Sequence, residues 1–134
     1  MMKYIDSNIF LYPLLYEDSL STKCKKILFG IVNGDFEGCT SVLTWDEVVY
    51  TLKKKRGLKI ANEEGEKFLK FPNLKFLDVN LQTITKAQIL VSKYNINPRD
   101  AIHASHSILR SNGEIISLDN DFDEIKELKK GNLN

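Results

Sequence analysis

Short strand-like runs alternating with segments of helical spacing predict an α/β fold: a mainly parallel sheet covered by helices on both faces. Three observations carry this. Four runs of three to six residues read as strands, and each of the first three is followed by at least one segment with apolar residues at helical intervals. The intervening segments are long enough for the crossovers that parallel strands require. At 134 residues, with 43% hydrophobic and 28% charged residues, the chain fits one soluble globular domain spanning residues 1–134.

"KYI" (3 to 5) is the first strand, closed by Asp6, and "SNIFLYPLLYE" keeps helical spacing after it despite Pro13. "STKCKKILFGIVNG" is a helix opened by a Ser/Thr cap and ended near Gly34. "GCTSV" (38 to 42) is the second strand, and Thr44 caps the helix "WDEVVYTLKKKR", in which Trp45, Val48, Val49 and Leu52 share one face. The helix "ANEEGEKFLKF" stops at Pro72, and "LKFLDV" (74 to 79) is the third strand. "TITKAQILVSKYN" is helical, Pro98 starts another helix through about Ser111, and "EIISL" (114 to 118) is the fourth strand. Gly131 and Asn132 to Asn134 read as a frayed end.

The formal charge is +1, from 19 Lys and Arg against 18 Asp and Glu, so no global basic field announces a nucleic-acid binder. Two local clusters, "KCKK" (23 to 26) and "KKKR" (53 to 56), serve either phosphate neutralisation or a solvated helix face. Cys24 and Cys39 lack C-x-x-C spacing, which argues against a zinc ribbon or a redox pair and for a reduced, intracellular protein. No segment approaches a membrane span and the N-terminus lacks a cleavable leader pattern, so a cytoplasmic protein is expected.

In parallel sheets ligands bind beyond the carboxyl ends of the strands, where chain order reverses. Carboxylates gather at those places. Asp6 and Asp119 end strands, Asp46 and Glu47 lie in the first turn of a helix after the second strand, and Asp100 begins the helix after Pro98. Each alone is also a normal cap or dipole partner at a helix start. Together they would repel one another, and such a cluster normally persists by binding cations. Oxygen ligands without thiolates select Mg²⁺ or Mn²⁺ over zinc, and such a site supports phosphoryl transfer to water. No P-loop, Ser-His-Asp order or Gly-x-Gly-x-x-Gly is present.

The ordered blocks "YIDSNIFLY", "SVLTWDEVVYTL", "NPRDAIHASHS" and "ISLDNDF", spanning residues 4 to 122, resemble the PIN domain, in particular the compact VapC-type toxins of toxin–antitoxin pairs. The resemblance implies a PIN-like three-layer α/β/α sandwich with four or five mainly parallel strands. It implies a Mg²⁺- or Mn²⁺-dependent endoribonuclease using one or two ions, an RNA substrate, an antitoxin protein as partner and homodimerisation. Asp6, Glu47, Asp100 and Asp119 match the family's acidic positions and Asp121 a position that is often acidic. Asn8 matches a polar position that steadies the first aspartate, and Ser117 a small hydroxyl position beside the last. By helical wheel Glu47 lies opposite the Trp45, Val48, Val49, Leu52 face, and Asp46 nearer to it. Glu47 is preferred on the family pattern. Lys54, two turns beyond Glu47, either touches RNA phosphate or is solvated.

The toxin reading competes with a PIN nuclease of RNA processing or ribosome maturation and with a non-catalytic PIN-like scaffold. A signalling receiver would need a phosphorylatable aspartate after the third strand and a lysine after the fifth, and here "LDVN" follows the third without a matching lysine. A haloacid-dehalogenase phosphatase would want Asp-x-Asp after its first strand, where this chain has "DSN". The spacing of His103 and His106 also invites a His-x-x-His metal site. On the wheel, Ala101, Ile102, Ala104, Ile108 and Leu109 form the apolar face, while His103, His106 and Arg110 lie opposite, exposed or hydrogen-bonded. Arg110 falls between the two histidines, and a permanent cation there opposes metal binding by them.

Overall fold

The computed structural model describes residues 2–133. Five strands, β1 (Met2–Ile5), β2 (Glu37–Ser41), β3 (Leu74–Leu77), β4 (Glu114–Ile116) and β5 (Lys129–Lys130), form one sheet in the order β3-β2-β1-β4-β5 with every pairing parallel. Among the described residues six helices connect them: α1 (Ser7–Leu15), α2 (Ser19–Val32), α3 (Leu43–Arg56), α4 (Leu58–Leu69), α5 (Leu81–Tyr94) and α6 (Pro98–Arg110). A short 3₁₀ helix, Asn120–Glu124, lies between β4 and β5. The chain runs outward from β1 through β2 to β3, then returns to the other side of β1 at β4. The order therefore reverses between β1 and β4.

Strand side chains alternate between two cores. Tyr4, Cys39, Leu77 and Ile115 pack with Leu90 of α5 and Ala101 and Ala104 of α6. Ile5 and Ile116 face the other way, onto Ile9 and Phe10 of α1, Ile31 of α2, Val48 and Leu52 of α3 and Phe68 of α4. This is the three-layer sandwich expected from the sequence. Burial on both faces explains why Tyr4 and Ile5 of β1 and Ile115 and Ile116 of β4 are apolar on both sides of the sheet, whereas both residues of the edge strand β5 are exposed.

Local details differ from expectation in ways that have physical causes. Asp18, not a Ser or Thr, caps α2, and Ser21 returns the hydrogen bond to the Asp18 N–H, completing a capping box. Thr44 does not cap α3. Its hydroxyl lies in the core, 2.7 Å from that of Thr40, and the cap position is Val42. Trp45 is 42% exposed, because its ring lies over the groove between α3 and α4 and not beneath α3. The expected frayed end is ordered through Leu133: Lys129–Lys130 add the fifth strand, the Gly131 N–H donates to Ile115 O at 2.7 Å, and Leu133 packs against the second core. Of that expectation, Asn134 lies outside the described residues.

On α6 both histidines are buried: His103 is hydrogen-bonded, one of the two alternatives the sequence left open, while the exposed alternative fails for both. His103 is 1% and His106 2% exposed, and both rings lie against Tyr4, His106 stacked at 5.8 Å and nearly parallel. The wheel assigned them to a polar face because histidine was counted as polar. α6 is in fact enclosed on most of its circumference, with Ser105 and Ser107 also fully buried.

Two predictions follow from these placements. Gly34 and Gly113 share a positive φ (77° and 82°), but a Cβ at Gly34 meets nothing whereas one at Gly113 falls 2.3 Å from Glu127 O. Urea unfolding should show Gly34→Ala costing about 1 kcal/mol and Gly113→Ala roughly 3 kcal/mol or more, since the β4–β5 connection must shift. Equal costs would contradict this placement. His106 has its pKa held down at about 4, first by burial and then by His103 and Arg110. The unfolded chain takes up that proton near pH 6.5 and the folded protein near 4, so the stability associated with the neutral ring is complete above pH 6.5 and declines toward pH 4. His106→Phe keeps an aromatic stack and removes the titration. Wild type should lose up to about 3 kcal/mol relative to this variant across that window, and parallel stability profiles would refute the burial of a neutral ring.

Candidate active site

β1 and β4 pair with Ile5 opposite Ile116, so Asp6 and Ser117 leave the sheet side by side. Asp6 is 4% exposed and caps α1, its Oδ1 accepting the Ser7 N–H at 2.8 Å. Its Oδ2 accepts from the Ser117 hydroxyl at 2.6 Å. Ser117 Oγ in turn accepts from the Asp119 N–H at 2.9 Å and from Asn8 Nδ2 at 3.3 Å. Asn8 Oδ1 takes the Leu118 N–H at 3.1 Å, closing a network that fixes the segment after β4 against the start of α1. Burial raises the pKa of Asp6 despite the opposing influence of His103, Ser117 and the Ser7 amide.

Asp119 caps the 3₁₀ helix by accepting the Asp121 N–H at 2.9 Å, and Asp100 sits in the first turn of α6, which Pro98 begins. Asp6 and Asp119 are caps, as their positions at helix starts predict, and in each the cap hydrogen bond occupies one carboxylate oxygen. One oxygen from each of Asp100, Asp119 and Asp121 lies within 4.8 Å of the other two. Asp100 has its pKa pushed up to about 6, first by burial and then by Asp119, Asp6 and Asp121. Among the described residues none of these three carboxylates is in an ion pair.

Glu47 lines the same open hollow as Asp100, Asp119 and Asp121, together with Asn97 and Arg99. Its side chain lies opposite the apolar face of α3, as the wheel placed it, and faces this hollow. It is 20% exposed and its Oε1 lies 2.5 Å from His103 Nε2. Asp46 points elsewhere, pairing with Arg99 at 3.4 Å on the exposed rim. Lys54 is exposed. All seven residues singled out in the sequence therefore converge: Asp100, Asp119 and Asp121 tightly, Glu47 along the same hollow, and Asp6, Asn8 and Ser117 beneath it.

The sequence reading missed His103 and Tyr4. His103 Nδ1 lies 2.6 Å from the Tyr4 hydroxyl, and the ring connects the core to Glu47. Burial opposes charge on this imidazole, but Glu47, Asp6 and Asp100 together outweigh it and raise its pKa. A signal was available. Residues i and i+3 of a helix are neighbours, so His103 had to lie beside Asp100.

A donor set of carboxylate oxygens with no thiolate suits a hard divalent cation, and mutual repulsion of uncompensated carboxylates gives the site a reason to hold one. The residues present fit such an ion.

Comparison with known proteins places this geometry in context. Solved structures that share the fold include the following three. The VapBC2 complex of Rickettsia felis, bound to a DNA fragment from its promoter, superposes with a TM-score of 0.77 at 18% identity, covering 98% of each chain. VapC20 of Mycobacterium tuberculosis, a sarcin-ricin loop cleaving toxin, gives 0.77 at 12% identity, covering 94% of this chain and 95% of that one. A toxin–antitoxin complex from Klebsiella pneumoniae gives 0.68 at 18% identity, covering 95% of each. No curated protein matches in sequence. The family model for the PIN domain matches residues 3–128, nearly the whole chain, and with the parallel sheet and the acidic hollow at its switch point this protein belongs to the PIN domain family.

Proposed function

We propose that the protein is a Mg²⁺- or Mn²⁺-dependent endoribonuclease that hydrolyses RNA phosphodiester bonds, acting as the toxin of a type II toxin–antitoxin pair. The observation that carries this reading is the meeting of Asp100, Asp119 and Asp121 within 4.8 Å, without a basic partner among the described residues, where the sheet order reverses. Membership of the PIN family supports nuclease chemistry. The similar structures from Rickettsia, Mycobacterium and Klebsiella support the toxin role, an antitoxin partner and RNA as substrate. No helix among the described residues is long and apolar enough to cross a membrane. The reading includes a cytoplasmic location, a single nuclease domain over residues 1–134 and a homodimer, as the family resemblance implies.

In this reading Asp100, Asp119, Asp121, Glu47 and Asp6 hold one or two ions. Bound there, the metal supplies Lewis-acid chemistry, making water a competent nucleophile at neutral pH and offsetting charge on phosphate. Asn8 and Ser117 hold Asp6 and the Asp119 loop at fixed separation. Arg99, on the rim and tethered to Asp46, offers a positive charge to the RNA backbone. The hollow is open, which suits a polymer substrate better than an enclosed small molecule.

Purified protein should cleave RNA with Mg²⁺ or Mn²⁺ and lose that activity in EDTA. Asp6→Asn and Asp100→Asn should each lower the cleavage rate by more than about 100-fold, beyond the 10- to 100-fold typical of outer-shell changes. Metal-independent cleavage, or full activity in either variant, would defeat the mechanism. Stable metal binding without cleavage of any RNA tested would favour a scaffold.

A further inference from the structure

Both nitrogens of His103 are engaged, and the ring is shut off from solvent. It is therefore placed to act on a neighbour and not to ligate an ion itself. An ionised carboxylate only accepts hydrogen bonds, so the Nε2 facing Glu47 carries a proton and donates it. Tyr4 Oη accepts the Ser41 N–H at 3.1 Å, which leaves the phenol proton for Nδ1 of the neutral ring. On a protonated ring the bond to Tyr4 reverses direction. The donation to Glu47 is the same in both cases.

Glu47 needs such a partner. A glutamate loses rotamer freedom when fixed, and here it faces three carboxylates that repel it. Its one hydrogen-bond partner among the described residues is His103. Tyr4, the largest fully buried side chain, anchors that imidazole from the middle of the sheet.

We propose that His103 is a positioning residue: braced by Tyr4, it donates from Nε2 to one oxygen of Glu47 and fixes that carboxylate at the acidic hollow for divalent-metal binding. The proposal rests on the metal-site reading above. Partners of this kind typically change metal affinity 10- to 100-fold.

The test is Mn²⁺ binding to the full chain, measured by electron paramagnetic resonance of the free ion. In H103Q the amide nitrogen takes the place of Nε2, whereas in H103N it takes the place of Nδ1 and falls short of Glu47. H103N should weaken Mn²⁺ binding about 10- to 100-fold, while H103Q should stay within about fivefold of wild type. In a Glu47→Gln background the H103N loss should vanish, since the residue acts through Glu47. Equal losses in H103N and H103Q, or an undiminished loss without Glu47, would overturn the positioning role while wild-type binding upheld the metal site. Absence of Mn²⁺ binding by wild type would refute the metal site and this proposal with it. Should H103N not fold, wild-type protein with ¹⁵N-labelled histidine decides. The His103 Nε2 resonance should shift with Mg²⁺ at the midpoint of metal binding, and a resonance unmoved at saturation refutes the proposal.

Discussion

A serine hydroxyl donates one hydrogen bond and accepts two, and Ser117 uses all three. It gives its proton to Asp6 and receives the Asn8 amide and the Asp119 backbone N–H. The ends of the two strands at the switch point are joined through this one oxygen, so the spacing of Asp6 from Asp119 follows from hydrogen-bond lengths and not from loop flexibility. The register of β1 against β4 makes the contact possible by carrying Asp6 and Ser117 out of the sheet at the same level. A one-residue slip would turn Tyr4 and Ile5 to the wrong cores and separate the pair. Register, core and site are thus set together.

Electrostatics works against this arrangement. Asp6 is buried and Asp100 half-buried, and burial is the leading cause of the raised pKa of each. A carboxylate whose pKa is raised on folding destabilises the folded state as the pH rises from its unfolded value through its folded one, for Asp100 from about 3.8 to about 6, with the full cost present above that. The protein meets part of this with donors, the Ser7 amide and Ser117 hydroxyl on Asp6 and His103 on Glu47. The cluster of Asp100, Asp119 and Asp121 has no positively charged side chain paired with it among the described residues, so a cation from solution gains most where the protein has left the charge unbalanced.

Much of this was legible in the sequence, and the parts that were not share a cause. Strand–helix alternation gave the parallel sheet, and the carboxylates after strand ends were visible because local position dictates their use. What escaped depends on packing between distant elements. β5 is two residues long and charged, and it exists because Gly113 and Ile115 offer carbonyls to Lys129 and Gly131. The α6 wheel failed because periodicity detects apolarity, whereas His103 is buried by satisfying its nitrogens and His106 by stacking on Tyr4. The wheel placed Glu47 opposite the apolar face of α3, which is where it lies, but a wheel drawn for one helix cannot show the neighbour across the hollow, His103 of α6.

The His103–Glu47 bond has a further structural meaning. α3 belongs to the layer that packs on Ile5 and Ile116, while α6 belongs to the layer that packs on Tyr4 and Ile115. The sheet separates these layers along its length, and α3 and α6 meet beyond the carboxyl ends of the strands. There, Glu47 from one layer reaches His103 from the other, and Asp6, directly after β1, lies 3.8 Å from the imidazole. Because the strands are short, the side chain of Tyr4 lies close enough to that edge to brace His103 while its ring fills the core. The packing that stabilises the fold is therefore also what orients Glu47, and a change in the core beneath Tyr4 acts directly on the geometry of the acidic hollow.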